Sequence, residues 1–361
     1  MTKSTHSESK RRFLAGLASA GFIGPALLTD NLLHAGTAPP FEVRPAPRYY
    51  PTPNHVPEIN LAGKVAIITG ASRGIGLAVG LALQALGVHV IGTSRTPAAY
   101  PGHSFPLLNL DLVDPSSIHG FVATVSGRPE VQDAGGIDIL VNNAGRGVIG
   151  GVIPVDPNMY FAGIQTGLAT LYGGHVAVTS ALLQTLAARS SSGYGRILFT
   201  TSVQAYIQGG VDLGITFGHS YTSSKRALLS YANDLRRTLA AAASAIKVST
   251  LNPLRVNTDI VSGARPIFLQ PVDASGNAIG DPNFQFVIDT ARALFANGMP
   301  TSYAAQAYVQ LLTATDPEAN VVVGADVEPY ASQGATDFFL TILKDEMRQS
   351  AVPWVAGPKQ V

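Results

Sequence analysis

The stretch Lys64-Val-Ala-Ile-Ile-Thr-Gly70-Ala-Ser-Arg-Gly74-Ile-Gly76 joins a short apolar run to three glycines, and a helical pattern from Leu77 to Leu86 follows it. A short, β-branched apolar run is typical of a parallel strand that is buried on both faces. Glycines at this spacing permit a tight turn and a close approach of the backbone to a ligand. The strand, the glycine turn and the helix together predict the first βα unit of an α/β fold.

Short apolar runs and helical patterns continue to alternate along the chain. Further strands are predicted at His89–Thr93, Phe105–Leu110, Ile137–Asn142, Arg196–Thr201, Lys247–Leu251 and Val321–Val323, with helices from Pro115, over 166–186 and from about Tyr221 to Ala243. Strands that alternate with helices form right-handed βαβ units around a parallel sheet. The prediction is an α/β protein with a Rossmann-like, doubly wound parallel sheet in a single domain over 61–335.

The glycine turn lies where such sheets bind ligands, beyond the carboxyl ends of the strands. The N-terminus of the following helix offers free N–H donors to phosphate groups. Gly70, Gly74 and Gly76 therefore predict a dinucleotide site. The alternative is a tight βα turn that binds no ligand.

The end of the second strand indicates which nicotinamide cofactor is bound. A site for NAD usually has an acidic residue about 20 residues after the glycine loop, where it binds the ribose 2′-hydroxyl. Here the strand ends in Gly92-Thr-Ser-Arg95, with no acidic residue, and Arg73 lies inside the loop. Guanidinium groups suit a 2′-phosphate. NADP(H) is therefore favoured over NAD(H), although either arginine taken singly could be a solvated surface residue.

Tyr221 and Lys225 are four residues apart, so they share one face of the predicted helix. A phenol has a pKa near 10, which a neighbouring ammonium group lowers. Tyr221 could then donate a proton to a carbonyl oxygen, or remove one from an alcohol, as hydride moves at the adjacent carbon. Ser202 ends the preceding strand and can hydrogen-bond to the same oxygen. The alternative is a surface pair.

In this order, the motifs resemble those of the short-chain dehydrogenase/reductase family, over roughly 61–330. They are Thr69-Gly70-x-x-x-Gly74-Ile75-Gly76, Asn142-Asn143-Ala144-Gly145, Ser202 and Tyr221-x-x-x-Lys225. The resemblance implies catalysis by Ser202, Tyr221 and Lys225. It implies a cofactor site made of Gly70, Ser72, Arg73, Gly74, Ile75, Gly76, Arg95, Asp111, Leu112, Asn142, Ala144, Gly145, Tyr221, Lys225, Pro253, Val256 and Thr258.

Three features depart from the family pattern. Leu254 occupies a position where the family has glycine. Tyr221 follows Ser202 by 19 residues instead of about a dozen, and a glycine-rich loop, Gly209–Gly214, accounts for the extra length. Leu171 aligns with a catalytic asparagine, and a leucine side chain cannot hydrogen-bond as that asparagine does. The last departure leaves open a slow enzyme or a different proton relay.

The N-terminus is predicted to lie outside the catalytic domain. Ser9-Lys-Arg-Arg-Phe-Leu14 precedes an apolar stretch from Ala15 to Leu28, and this pattern resembles a twin-arginine export signal over 1–38. A proline-rich linker is predicted over 39–60. The protein is expected to be exported to the periplasm or membrane-associated, with the export machinery as a partner; an uncleaved anchor, a disordered tail and a cytoplasmic protein are the alternatives.

Composition excludes several classes of function. The 24 basic and 23 acidic residues give a formal charge of +1, which provides no electrostatic footprint for nucleic acid. The chain has no cysteine, so disulfides, zinc–thiolate sites and cysteine nucleophiles are excluded. The eight histidines show no metal-ligand spacing, and no metal site is predicted.

The expected substrate follows from the segment after Thr258. A substrate-lid insertion is predicted at about 259–300, with an apolar helical stripe from Phe284 to Phe295, and a C-terminal helix and tail at 336–361. The apolar residues favour a medium or large apolar ketone or secondary alcohol as the small-molecule substrate. The resemblance also implies a homodimer or homotetramer, since the corresponding helices pair between subunits in this family.

The sequence thus predicts an NADP-dependent oxidoreductase that acts on CH–OH groups. Two alternatives stay open. One is a nucleotide-binding regulator or scaffold with little or no catalysis, for which Leu171 and the displaced Ser202 argue. The other is an epimerase or dehydratase that returns its cofactor to the starting state.

Overall fold

The computed structural model describes residues 49–50, 55–146, 148–149, 157–190, 193–202, 205, 219–253, 256–262, 267–268, 296 and 298–323. Within these residues, the main sheet has eight strands, all paired in parallel. They are β1 (Tyr49–Tyr50), β2 (Val65–Ile68), β3 (His89–Ser94), β4 (Leu107–Asn109), β5 (Ile139–Asn142), β7 (Gly195–Thr200), β8 (Ile246–Pro253) and β10 (Asn320–Val323). Strands β6 (Val148–Ile149) and β9 (Ile267–Phe268) form a second, two-stranded parallel sheet.

The strand order creates a crevice beside β2. It runs β4-β3-β2-β5-β7-β8-β10-β1 across the main sheet. The chain therefore winds outward from β2 to β4, returns to the other side of β2 at β5, and then winds in the opposite direction. The carboxyl ends of β2 and β5 meet at this switch point, where open α/β sheets bind ligands.

Helices cover both faces of the main sheet. They are α1 (Gly74–Ala85), α2 (Pro115–Ser126), α3 (Pro129–Ala134), α4 (Pro157–Leu168), a π-helical turn (Ala169–Gly173), α5 (Gly174–Ser190), α6 (His219–Ala241), α7 (Asp259–Ser262) and α8 (Thr301–Thr313). A 3₁₀ turn spans Pro97–Ala99.

Strand β2 is apolar throughout because both of its faces are buried. Ala66 and Ile68 belong to the core formed with α1 and α8, whereas Val65 and Ile67 belong to the core formed with α2, α5 and α6. Because successive side chains of a strand point to opposite faces, burial on both faces requires an uninterrupted apolar run. The predicted fold class, a doubly wound parallel sheet of α/β type, is confirmed.

Part of the predicted linker contributes to the sheet. Tyr49 and Tyr50 form β1, which pairs with β10 in parallel. Farther along, the backbone N–H groups of Glu58 and Ile59 both donate to the carbonyl of Thr313, at 3.1 and 2.9 Å. The prediction of an extended linker over 39–60 did not include these contacts.

Element bounds differ from the predictions by a few residues. The helix expected over Tyr221–Ala243 spans His219–Ala241, and Ala243 adopts a left-handed conformation (φ 51°) just after it. Three predicted segments lie outside the described residues. They are the 1–38 signal, the apolar stripe from Phe284 to Phe295 and the 336–361 tail. In the part of the chain that the structure describes, no helix is both long and apolar enough to span a membrane.

Candidate active site

The glycine loop lies directly against the end of β5. Gly70 adopts φ 66°, and a Cβ there would come within 2.7 Å of Ala144 Cα. A Cβ on Gly76 would come within 2.3 Å of the Gly70 carbonyl oxygen. These two positions require glycine because side chains would collide with backbone atoms. The loop is therefore fixed in a tight turn, and its backbone forms the floor of the cleft above it.

Polar contacts join the ends of β2 and β5 beneath this turn. The Thr69 hydroxyl oxygen accepts hydrogen bonds from the backbone N–H groups of Asn143 and Ala144, at 2.9 and 3.0 Å. In return, the Asn143 side-chain amide donates to the Thr69 carbonyl at 3.1 Å. Buried backbone groups need such partners. The two strand ends therefore hold each other in register at the switch point.

A cavity of about 500 Å³ runs over the glycine loop. One end is lined by Thr93–Thr96, Tyr100 and Leu110–Val113, and the other by Ser202, Tyr221 and Lys225. Among the predicted site residues, the lining includes Gly70, Ser72, Arg73, Gly74, Ile75, Arg95, Asp111, Leu112, Ala144, Gly145, Ser202, Tyr221, Lys225, Pro253, Val256 and Thr258. Gly76 and Asn142 do not line it and instead support the floor and the end of β5.

The cleft suits an extended dinucleotide. Gly70 and Gly74 line the cleft and carry no side chains, so the loop contributes backbone to this part of the lining. The first turn of α1 begins at Gly74 and directs its N–H groups to this place. Cavities of this size are typical of cofactor sites. The residues present therefore fit a nicotinamide dinucleotide.

Two arginines line the cleft near the end of β3, and no acidic residue directly follows the strand in the sequence. Ser94, which ends the strand, is buried, and Arg95 is exposed and lines the cleft. Among the described residues, the Arg95 guanidinium has no hydrogen bond or ion pair. Arg73 also lines the cleft, and its Nη1 lies 3.3 Å from Asp259 Oδ2. The contact with Asp259 was not predicted.

Ser202 and Tyr221 meet at the opposite end of the cleft. Ser202 lies two residues beyond β7, and Tyr221 lies in the first turn of α6. Both are buried, and a hydrogen bond joins their side chains. Burial raises the pKa of Tyr221 above its usual value, and the hydrogen bond from Ser202 partly opposes the rise. The longer spacing between the two residues therefore does not separate them.

Lys225 lies one helical turn after Tyr221 and is also buried. Its Nζ donates to the Thr200 carbonyl at 2.8 Å and lies 5.8 Å from the centre of the Tyr221 ring. Because burial disfavours the charged amine, the pKa of Lys225 falls from 10.5 to about 7. The carbonyl at the end of β7 therefore positions the amine next to the phenol.

Leu171 lies at the cleft in the π-helical turn between α4 and α5. Its side chain is fully buried and lines the cavity. A Cβ on Gly145 would contact Leu171 Cδ2 at 3.4 Å. Single π-helical turns within helices are frequent at functional sites. The position where the resemblance implies asparagine is thus at the site, and an apolar side chain occupies it.

His175 is a buried residue that contacts the cleft lining at Ala144 and that the sequence analysis did not single out. Its Nε2 lies 2.8 Å from the Ala144 carbonyl, and its Nδ1 lies 3.3 Å from the side-chain amide of Asn142. Burial, together with the nearby charge of Lys225, lowers the pKa of His175 to about 3. The ring is therefore neutral and donates from Nε2 to that carbonyl. Its position one helical turn after Leu171 was the available signal.

Several predictions fall on residues that the structure does not describe. These are Leu254 and the glycine-rich loop Gly209–Gly214. Among the described residues, no group of three or more His, Asp or Glu side chains could hold a metal ion.

Comparison with known proteins gives the family. A family model described as short chain dehydrogenase matches residues 64–266. The chain belongs to the short-chain dehydrogenase family. This short-chain dehydrogenase is 33% identical over 213 residues to a "Dehydrogenase/reductase SDR family protein 7-like" of Anopheles gambiae. That alignment covers 55% of the chain and 61% of the relative, so the chain spans less than two thirds of that relative's length.

A second relative agrees with this assignment, and two solved structures share the fold. The short-chain dehydrogenase is 29% identical over 208 residues to the 3-oxoacyl-(acyl-carrier-protein) reductase FabG of Escherichia coli K12, covering 56% of the chain and 77% of the relative. A short-chain dehydrogenase from Streptomyces avermitilis superposes with a TM-score of 0.58 at 25% identity, covering 81% of this chain and 96% of that one. A family member from Burkholderia phymatum, solved in complex with NAD, gives a TM-score of 0.58 at 17% identity, covering 78% and 96%.

Proposed function

We propose that this oxidoreductase transfers a hydride between NADP(H) and an apolar ketone or secondary alcohol. The observation that carries the proposal is the buried Ser202–Tyr221 pair, with Lys225 one turn away, at the end of a cleft that also contains the glycine loop. When bound, the dinucleotide supplies or accepts the hydride. Gly70, Gly74 and the first turn of α1 would hold its phosphates.

Three side chains carry the proton chemistry in this proposal. Tyr221 donates the proton from its hydroxyl to the substrate oxygen on reduction and removes it on oxidation. Ser202, already hydrogen-bonded to Tyr221, orients that oxygen. Lys225, held by the Thr200 carbonyl, provides the positive charge that stabilises the phenolate when its amine is protonated.

The preference for NADP(H) rests on the end of the cleft near β3. Arg73 and Arg95 both line it, and no acidic residue follows Ser94. Two guanidinium groups favour the additional phosphate, whereas a site for NAD usually provides a carboxylate there. The structure of the Burkholderia phymatum relative contains NAD. Direct comparison of NADPH and NADH binding tests the preference, and tighter binding of NADH would contradict it.

The apolar substrate is supported by apolar residues of the cleft lining. Leu171, Val256 and Ile260 belong to the same lining as Ser202 and Tyr221. An apolar wall that surrounds a few polar groups is typical of sites for small apolar ligands. A screen of apolar ketones with NADPH, compared with ketones that carry carboxylates, tests this preference.

Substitution of Tyr221 tests the catalytic assignment. Tyr221→Phe removes the hydroxyl and keeps the ring, so turnover should fall at least 100-fold while NADPH binding is retained. Tyr231→Phe is the matched control, because it removes a hydroxyl from the same helix outside the cleft lining. Turnover that survives Tyr221→Phe would refute the assignment. Absence of turnover in the wild-type chain over a broad ketone screen would favour the regulator or scaffold.

Export and oligomerisation are further parts of the proposal. We propose that the 1–38 segment directs the folded protein out of the cytoplasm with its cofactor tightly bound; recovery from the cytoplasm alone, with Met1 intact, would contradict this.

A homodimer or homotetramer is supported by Phe161 and Leu168 of α4, which are 62% and 37% exposed. Light scattering on the full chain tests the oligomeric state.

A further inference from the structure

An ion pair links the glycine loop to the start of α7. Arg73 Nη1 lies 3.3 Å from Asp259 Oδ2, and the two residues are 186 positions apart in the sequence. The adjacent residues also approach each other, since a Cβ on Gly74 would lie 3.4 Å from Thr258 Cγ2. The loop and the chain after β8 therefore meet beside the cleft.

The two charged side chains have different surroundings. Arg73 lines the cofactor cleft, whereas Asp259 lines both that cleft and a second groove of about 590 Å³ between α1 and α8. The side chains are 48% and 58% exposed. Because neither is packed in place, Arg73 can turn toward an anion in the cleft while Asp259 stays at the boundary between the two cavities.

The charges make Asp259 a competitor of any phosphate in the cleft. The guanidinium of Arg73 pairs with a single carboxylate oxygen in this structure. A phosphate carries more negative charge than a carboxylate and accepts bidentate hydrogen bonds from arginine. To bind Arg73, however, that phosphate must displace Asp259 and then lies near an unpaired carboxylate.

We propose that Asp259 sets the preference between the two nicotinamide dinucleotides by competing with the 2′-phosphate for Arg73. The inference rests on the proposed function, because it assumes that the cleft binds the dinucleotide with its 2′-position near Arg73. Asp259 acts here as a specificity-determining residue and has no part in hydride or proton transfer. Its carboxylate weakens binding of the phosphorylated dinucleotide and leaves binding of the unphosphorylated one nearly unchanged.

The test compares two nucleotides that differ by one phosphate. Binding of 2′,5′-ADP and of 5′-AMP to the full chain is measured by calorimetry for the wild type and for Asp259→Asn. An exposed ion pair is worth up to about 1 kcal/mol, which corresponds to about a fivefold change in affinity. Asp259→Asn should therefore bind 2′,5′-ADP about two- to fivefold more tightly, with less than a 1.5-fold change for 5′-AMP.

Two further variants identify the cause of the change. Asp234→Asn removes the same charge from another exposed ion pair, formed with Arg237 on α6 and away from the cleft lining, and should change neither affinity. In an Arg73→Gln background, Asp259→Asn should no longer affect 2′,5′-ADP. This double-mutant cycle separates competition for Arg73 from a general electrostatic effect.

Other results overturn the inference. If Asp259→Asn increased the affinity for both nucleotides equally, the carboxylate would act by repelling the 5′-phosphate that the two nucleotides share. An unchanged affinity for 2′,5′-ADP, or a change that persists in Arg73→Gln, would exclude competition for Arg73. In these cases, tighter binding of 2′,5′-ADP than of 5′-AMP by the wild type would still support the proposed function. A wild-type chain that binds neither nucleotide refutes both proposals.

Discussion

The buried amine of Lys225 should make stability depend on pH in a specific direction. Burial lowers its pKa in the folded chain to about 7, from 10.5. Between these two values the unfolded chain binds more protons than the folded chain, so the free energy of unfolding rises as the pH rises. Lys225→Met removes this titration and keeps most of the aliphatic length of the side chain.

The size of the effect follows from linkage. A difference of one bound proton changes the free energy of unfolding by about 1.36 kcal/mol per pH unit. Allowing for partial protonation near pH 7, wild type should gain about 2 kcal/mol relative to Lys225→Met between about pH 7.5 and 9. Urea unfolding of both proteins at three pH values in this interval measures the gain.

A matched variant separates this effect from a change in net charge. Lys247→Met removes a lysine that is exposed on β8. The free energy of unfolding of wild type minus that of Lys225→Met should increase as the pH rises, by far more than any change seen with Lys247→Met. A difference for Lys225→Met that stays constant with pH, or that moves in the opposite direction, would refute a buried amine with a lowered pKa.

Two further substitutions test the framework of the site. Gly76→Ala should weaken dinucleotide binding and lower the free energy of unfolding by about 1–3 kcal/mol, because its Cβ would overlap the Gly70 carbonyl. Gly120→Ala, whose Cβ would have no neighbour within 4 Å, is the control, and equal stabilities of the two variants would contradict the expected clash. Asp138→Ala should cost about 2–4 kcal/mol in urea unfolding, since this fully buried carboxylate accepts from the Val65 N–H at 2.9 Å. Asp138→Asn retains an acceptor, so a loss as large as that of alanine would show that the hydrogen bond is not the cause.

The central part of the sheet was predictable because its pattern is local. Strands β2, β5 and β7 each contain a short apolar run next to a turn, and β2 needs apolar residues on both faces. By contrast, β1 has two residues and pairs with β10, more than 270 positions later in the chain. A two-residue strand has no period of its own, so its pairing depends on a partner that only the folded chain brings near.

Residues of the candidate site were predictable where the chemistry, or a close contact with the backbone, allows only one residue type. Tyr221 and Lys225 share a helical face at a fixed spacing, and Gly70 and Gly76 are required by backbone contacts. The sequence also indicated Leu171 at the cleft, but it gave no sign of the π-helical turn that carries it. That turn depends on packing between helices, which a single-residue pattern does not encode.

The contacts that were missed share one physical cause. Thr69 binds Asn143 from 74 positions away, and Asp259 reaches Arg73 from 186. In each case the motif residue could be identified locally, while its partner lies on another element and is a common polar residue. Preorganised sites depend on such supporting contacts, since a side chain that is free to rotate loses its catalytic or binding geometry. Motifs therefore indicate which residues act chemically. The fold determines which residues hold them in place and, in the case of Arg73, brings Asp259 near enough to compete for its guanidinium.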